Sequence, residues 1–245
     1  MGKIIAIVGN LGSGKTTLAR LLCQHTGFTP CWEDPAARPF QQAFMQAPPR
    51  WALANQLDFF LFRCEQERLA RQSHDTVVFD GGFDQDFHVF SRHLCNQGHL
   101  TPAEFELCQR FYTFARACLP PPDLLIRLTV DLPTLLARKA ARGRPTYDQS
   151  ITPQQLAGFE QLLDEWLGAQ TASPLLQFAF TQDVQHMAEE ISALITHQFQ
   201  LQSQPPQSQL PQSQQPPQSQ LEQSQWEQSE QLQSEQGQQP QVDQS

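Results

Sequence analysis

Apolar positions along the first four-fifths of the chain follow two alternating rhythms. Short continuous runs rich in Val, Ile, Leu and Phe fall at Lys3–Val8 (KIIAIV), Thr76–Asp80 (TVVFD), Asp123–Val130 (DLLIRLTV) and Leu175–Phe180, and a further short strand is expected near Phe28–Trp32. Runs of that length with no polar alternation predict strands buried on both faces, as in a parallel sheet. Between them, apolar residues recur at helical spacing over Thr16–His25, Trp51–Arg71, Asp84–Asn96, Pro102–Cys118, Leu132–Ala141, Thr152–Leu167 and Asp183–Gln198. Pro48 and Pro49 close a loop before the second of these helices, and Pro102 sits in the first turn of the fourth, whose Phe105, Phe111 and Phe114 are assigned to the core. Strands alternating with helices predict an α/β fold with a parallel five-stranded sheet and right-handed crossovers, completed by the strand near Leu175.

The rhythm stops near residue 198. From there the sequence is Gln, Ser and Pro with scattered Glu, which offers no apolar face to bury. The expected organisation is one domain over 1–197 and a disordered tail over 198–245. The formal net charge of −9 argues against a broad attraction to nucleic acid or an anionic membrane, so any phosphate binding must be local. Six cysteines show no C-x-x-C pairing and several fall within predicted helices, the pattern of reduced packing thiols in the cytoplasm. The first predicted strand starts at residue 3, which leaves no room for a signal peptide, and no apolar run reaches membrane-spanning length. Gly2 follows Met1, but Ala6 breaks the acylation pattern.

One loop changes the picture. Gly9-Asn10-Leu11-Gly12-Ser13-Gly14-Lys15-Thr16 fits G-x-x-x-x-G-K-[ST] and lies between the first strand and the first helix, the context this motif requires. Its glycines let backbone N–H groups turn toward a polyphosphate, the helix N-terminus favours anions, and Lys15 supplies an ammonium for the terminal phosphates. Thr16 is placed to bind Mg²⁺, and Thr17 to help fix the loop and the phosphates.

Further polar groups fall at strand ends, where open α/β sheets hold ligands. Glu33-Asp34-Pro35 follows the second strand, although a capped turn accounts for it equally well. Asp80 ends the third strand and is the candidate acid behind a magnesium ion. Gln56 and Arg63 lie two turns apart on one helical face with Phe59 and Phe60 between them, a set suited to a planar ligand or to the edge of a core stripe. Arg138, Lys139, Arg142 and Arg144 crowd the segment after the fourth strand, which places an arginine lid over the nucleotide; a solvated helix face is the alternative. His88, His93 and His99 have neither the spacing nor the carboxylate company of a zinc site and read as ordinary surface or partly buried histidines.

From Lys3 to about Ala188 these features resemble the deoxynucleoside kinases, including bacterial deoxyadenosine and deoxyguanosine kinases. The likeness rests on the phosphate loop, the carboxylate-Pro turn at 33–35, Arg50-Trp51 with Gln56, and Arg-x-x-x-Arg-Gly-Arg at 138–144. It implies a three-layer P-loop kinase fold with an arginine lid. It also implies that Asp34, immediately before the proline, is the catalytic acid-base group with Glu33 adjacent. Gln56 then reads the base with Arg63 as its companion, Asp86 contacts the base, and Phe90 stacks on it. Three positions depart from the pattern: Asp80-Gly81-Gly82 lacks the arginine of the family's third-strand motif, and Met45 and Tyr147 stand where the family holds the sugar 3′-hydroxyl.

The resulting reading is an ATP- and Mg²⁺-dependent kinase that phosphorylates a (deoxy)nucleoside 5′-hydroxyl. In it Lys15, Arg138, Arg142 and Arg144 stabilise the transferring group, Thr16 and Asp80 position the metal, and Asp34 or Glu33 takes the proton. Two alternatives stay open: a kinase for a nucleoside monophosphate or other small alcohol, and a catalytically degenerate nucleotide-binding interaction module tethered by the tail. The partner expected is a small nucleoside, with no nucleic acid and no membrane; a homodimer is an open alternative to a monomer.

Overall fold

The computed structural model describes residues 1–32, 38–142, 151–180 and 183–203, without the side chains of 142, 198 and 200–203. Two units divide the chain, Met1–Phe199 and Gln200–Ser245, and the sheet lies wholly in the first. Its strands are β1 (Lys3–Gly9), β2 (Thr29–Cys31), β3 (Thr76–Asp80), β4 (Leu124–Thr129) and β5 (Leu175–Ala179), all parallel in the order β2-β3-β1-β4-β5. Beside them run α1 (Lys15–Thr26), α2 (Gln41–Gln46), α3 (Pro48–Gln72), α4 (Phe83–Gln85), a π-helical segment (Asp86–Ser91), α5 (Arg92–Asn96), α6 (Pro102–Cys118), α7 (Leu132–Arg142), α8 (Pro153–Ala169) and α9 (Val184–Ser203).

The continuous apolar strands are covered on both sides, as their composition requires. Successive β1 residues face opposite ways: Ile5 and Ile7 pack with Leu18 and Leu22 of α1 and Ile191 and Ile195 of α9, whereas Ile4, Ala6 and Val8 pack with Leu156, Phe159 and Leu163 of α8. A third cluster joins Phe44, Phe60, Phe83, Phe87, Leu94 and Cys108 beneath α2, α3 and α6. β1 lies centrally, between β3 and β4, so the loop that follows it opens where neighbouring strands also end.

Several predicted features are corrected. Pro48 and Pro49 start α3 rather than close a loop, a position where the missing N–H costs nothing. The helix expected over Asp84–Asn96 begins at Phe83 and is interrupted by the π-helical turn, and α2 was not foreseen. Phe114 is 72 % exposed; the inner face of α6 is supplied by Cys108 and Ala115 with Phe105 and Phe111 packed alongside. The last helix passes Gln198 to Ser203 and buries Phe199 in the core. His93 is buried, not at the surface. All six cysteines are thiols, as expected. Among the described residues no helix is long and apolar enough to cross a membrane.

Candidate active site

The phosphate-loop sequence forms a tight turn from the end of β1 into α1. Gly12 (φ 81°) and Gly14 (φ 106°) take backbone conformations that a side chain disfavours, and Ser13 N–H closes the turn on Asn10 C=O at 3.2 Å. Lys15 folds back over the loop, its Nζ donating to the carbonyls of Gly9 and Asn10 at 3.0 Å each. The loop is braced from two sides. Asn10 Nδ2 donates to Leu156 C=O and to Glu160 Oε2 of α8, both at 2.9 Å, and Glu160 is held in turn by Arg127 of β4 at 2.7 Å. Arg138 of α7 donates to the carbonyls of Gly12 (3.2 Å) and Ser13 (2.9 Å) while its guanidinium stacks 3.7 Å from the Phe180 ring centroid. Leu11, packed partly against the same core as α8, completes that wall.

At the end of β3 the buried Asp80 faces this loop. Its Oδ2 accepts a hydrogen bond from Thr16 Oγ1 at 2.5 Å, and Thr16 and Thr17 are exposed at the start of α1. A carboxylate and a hydroxyl meeting at an accessible loop are hard oxygen donors, a set that suits Mg²⁺ held through few protein ligands plus substrate phosphates.

Beside Asp80 lies a buried polar cluster built from α3 and the π-helical segment. Arg63 is fully buried (0 % exposed): Nε donates to Asp86 Oδ2 at 3.2 Å and an Nη to the backbone carbonyl of Asp80, also at 3.2 Å. Gln56, 6 % exposed, is 2.8 Å from Ser91 Oγ through its Oε1. Phe90 is half-buried, edge-on to Phe159 at 5.4 Å. The face carrying Gln56 and Arg63 is therefore interior, not the edge of a stripe, and Arg63 and Asp86 are brought into contact although 23 residues separate them. Within the π-helical turn Ser91 Oγ also lies 3.1 Å from Asp86 C=O, which ties the ends of residues 86–91 together.

A partly buried network that the sequence did not disclose joins α3, α4 and α6. Arg116 of α6 donates to both Asp84 oxygens (2.8 and 3.0 Å) and both Glu67 oxygens (2.7 and 2.8 Å), and Tyr112 donates to Asp84 at 2.7 Å. Because the Tyr112 proton goes to Asp84, His88 Nε2, 3.1 Å from the phenol oxygen, must be the donor in that contact. Burial pushes Glu67 above the ordinary carboxylate range against the pull of Arg116, and pushes His88 down to about 4. Gln85 is the second unforeseen group: it is 3 % exposed, accepts from the backbone N–H of Gly9 and donates to its C=O. A glutamine inside a helix carries no motif by which it could have been found.

Glu33, Asp34, Arg144 and Tyr147 lie outside the described residues, and Arg142 is seen only as the last residue of α7. Of the expected lid, Arg138 alone is placed, against the loop. Gly81 has φ 81° and donates its N–H to Ile7 C=O at 2.9 Å, so the glycine that replaces the expected arginine sits in a left-handed conformation. Met45 is exposed.

With this geometry in view, comparison with known proteins is specific. The profile of the deoxynucleoside kinase family matches residues 5–201. A deoxyguanosine kinase of Bacillus subtilis (strain 168) is 31 % identical over 163 residues, covering 66 % of this chain and 75 % of that protein. A deoxyadenosine/deoxycytidine kinase of the same organism is 24 % identical over 176 residues, 71 % of this chain and 81 % of the relative. Among solved structures, the deoxyadenosine kinase from M. mycoides with bound dCTP superposes with a TM-score of 0.69 at 18 % identity, covering 79 % of this chain and 99 % of that one. The same enzyme with bound dATP gives 0.68 at 19 %.

Proposed function

The chain belongs to the deoxynucleoside kinase family, and from that premise we propose that it transfers the γ-phosphoryl group of ATP to the 5′-hydroxyl of a deoxynucleoside, with Mg²⁺. Membership makes it an enzyme of the nucleoside-phosphorylating class; the donor, the metal and the residue roles are our reading.

In this reading, Lys15 leaves the Gly9 and Asn10 carbonyls for the terminal phosphates, and backbone N–H groups of Gly12 and Gly14 line the phosphate cradle. Arg138, with Arg142 and Arg144 further along, offsets charge on the transferring group. Thr16 and Asp80 would hold Mg²⁺, which when bound neutralises phosphate charge. Gln56, Arg63, Asp86 and Phe90 seat the base and so orient the 5′-hydroxyl. Asp34 or Glu33 accepts the hydroxyl proton.

The observation that carries the reading is the placement of Arg63. One end meets Asp86 and the other the backbone of Asp80, which supports an acceptor site next to the residue that faces Thr16 of the phosphate loop. Phosphoryl transfer needs that adjacency, because donor and acceptor must come within reacting distance in line. The test is consumption of ATP by the purified chain with each of a panel of deoxynucleosides, monophosphates and unrelated alcohols. Acceptor-dependent turnover restricted to deoxynucleosides is expected; turnover only with monophosphates or other alcohols overturns the acceptor assignment. We extend the proposal to a cytoplasmic homodimer, for which Leu107 and Phe114, seven residues apart on the exposed face of α6, are apolar surface such a contact would cover; light scattering decides it.

A further inference from the structure

Gly9 is the residue on which β1 ends and the phosphate loop begins, and three separate constraints converge on it. It pairs with Leu128 in the ladder between β1 and β4. At φ 152° it cannot become alanine, because a Cβ would lie 2.6 Å from Leu128 C=O. Third, the carboxamide of Gln85 lies against its peptide: Oε1 accepts from Gly9 N–H and Nε2 donates to Gly9 C=O, each at 3.1 Å. Since one partner can only donate and the other only accept, the amide has one chemically sensible orientation.

The Gly9 carbonyl has a second donor, Lys15 Nζ at 3.0 Å. To reach a phosphate the ammonium must give up this contact. A buried carbonyl that loses its partner is costly, and Gln85 is the group that stays with it when Lys15 departs. Gln85 is also fixed from both sides. Its neighbour Asp84 is bound by Arg116 and Tyr112, and its neighbour Asp86 by Arg63, so the turn that grips the phosphate loop is the turn that builds the acceptor pocket.

We infer that Gln85 is a positioning residue for the phosphate loop: it holds the Gly9 peptide in place while Lys15 exchanges loop carbonyls for phosphate oxygens. The inference rests on the proposed ATP site, and its test separates the two. Two variants of the full chain isolate the bonds. Gln85→Met keeps length without polarity; Gln85→Glu keeps an acceptor for Gly9 N–H, removes the donor to the carbonyl, and sets a negative charge near Lys15.

Amide hydrogen exchange over Gly9–Thr16 in the nucleotide-free protein should be faster in Gln85→Met than in the parent chain, while the strands exchange alike. In steady-state assays Gln85→Met should raise KM for ATP about tenfold, the scale of one lost buried hydrogen bond, with KM for the nucleoside within about twofold. Gln85→Glu should weaken ATP further, because its carboxylate competes with phosphate for Lys15. Equal loop exchange in the parent and both variants overturns the inference, as does a parallel rise of both KM values. Should Gln85→Met not fold, Gln85→Glu carries the same comparison. A parent chain that fails to use ATP refutes the proposed donor and leaves the exchange result to decide the role of Gln85.

Discussion

Thr16 and Asp80 meet at 2.5 Å, hydroxyl to carboxylate, although 64 residues separate them and they belong to different elements. The contact exists because β1 and β3 are adjacent parallel strands, with Ile7 in register with Asp80, so β3 ends beside the residues that lead β1 into the loop. A metal entering this point would take over the Asp80 oxygen that now accepts from Thr16. Asp80→Asn keeps the shape and the hydrogen bond but removes the charge. It is expected to raise the Mg²⁺ concentration for half-maximal turnover about 10- to 100-fold, the usual effect of altering a residue that supports a metal. A magnesium titration of initial rate checks this, and an unchanged midpoint removes Asp80 from the metal site.

Lys15→Ala tests the other side of the loop. Lys15 is only partly buried, and Gln85 stays on the Gly9 carbonyl once the side chain is gone, so the melting temperature should hold within a few degrees. Turnover should fall by at least about 10²-fold, as when one preorganised donor to a developing charge is lost, and ATP binding should weaken. Unaltered turnover would place the donor elsewhere.

How much of this was legible in the chain depends on how local the signal is. The phosphate loop and its flanking strand and helix are contiguous, so Gly9 to Thr16 announce themselves by spacing, and the two-sided burial of β1 follows from its composition. Helical spacing singles out Arg63 beside Gln56, whereas a role for Asp86 comes only through resemblance, since no periodicity brings residues of two helices together. The network of Glu67, Asp84, Tyr112 and Arg116 was invisible because its members lie up to 49 residues apart and each reads as an ordinary helix surface charge. Phe114 misled for the opposite reason: aromatic type was taken for burial, but the inward face of α6 runs through Cys108 and Ala115. Gln85 had no signature at all, because what makes it matter is the peptide it faces.

The acceptor pocket should separate binding from stability. Gln56→Leu removes an amide from the pocket and is expected to raise KM for the nucleoside about tenfold while KM for ATP stays level, with a stability cost near 1 kcal/mol for the contact with Ser91. Asp86→Asn should do both kinds of damage, because it strips a charge from the side of a fully buried guanidinium. Breaking such a pair costs about 3–5 kcal/mol in general, and the carbonyl of Asp80 holds the loss toward the low end here. Thermal melts beside substrate titrations distinguish the two; Asp86→Asn melting like the parent chain refutes the pairing.

Acid should destabilise the fold through its buried histidines. His88 is stacked on Trp166 at 5.4 Å, and His93 lies beside Phe159 at 4.2 Å; burial lowers both from 6.5 to about 4. The unfolded chain therefore binds protons on these groups near 6.5, where the folded chain does not. Their contribution is complete above pH 6.5 and is lost as pH falls toward 4. The melting temperature should drop across that window, and His88→Gln, which keeps a donor toward Tyr112 but has no proton to gain, should flatten the drop. A parent and variant with superimposable profiles would exclude His88 as a source.

On the proposed mechanism the acceptor-hydroxyl proton goes to Glu33 or Asp34, adjacent carboxylates that lie outside the described residues. The resemblance favours Asp34, which stands immediately before Pro35 as the family's acid does, though it is one methylene shorter than the glutamate usual there. Adjacent residues on an extended backbone face opposite sides, so the proposal needs only one of the pair to serve as base. Asp34→Asn is therefore expected to lower kcat by about two to four orders of magnitude, the range for a positioned general base, with Glu33→Gln mild. The reverse ranking moves the role to Glu33 and leaves the mechanism standing. Full acceptor-dependent turnover in both variants means that neither carboxylate takes the proton, and the proposed transfer then fails at its central step.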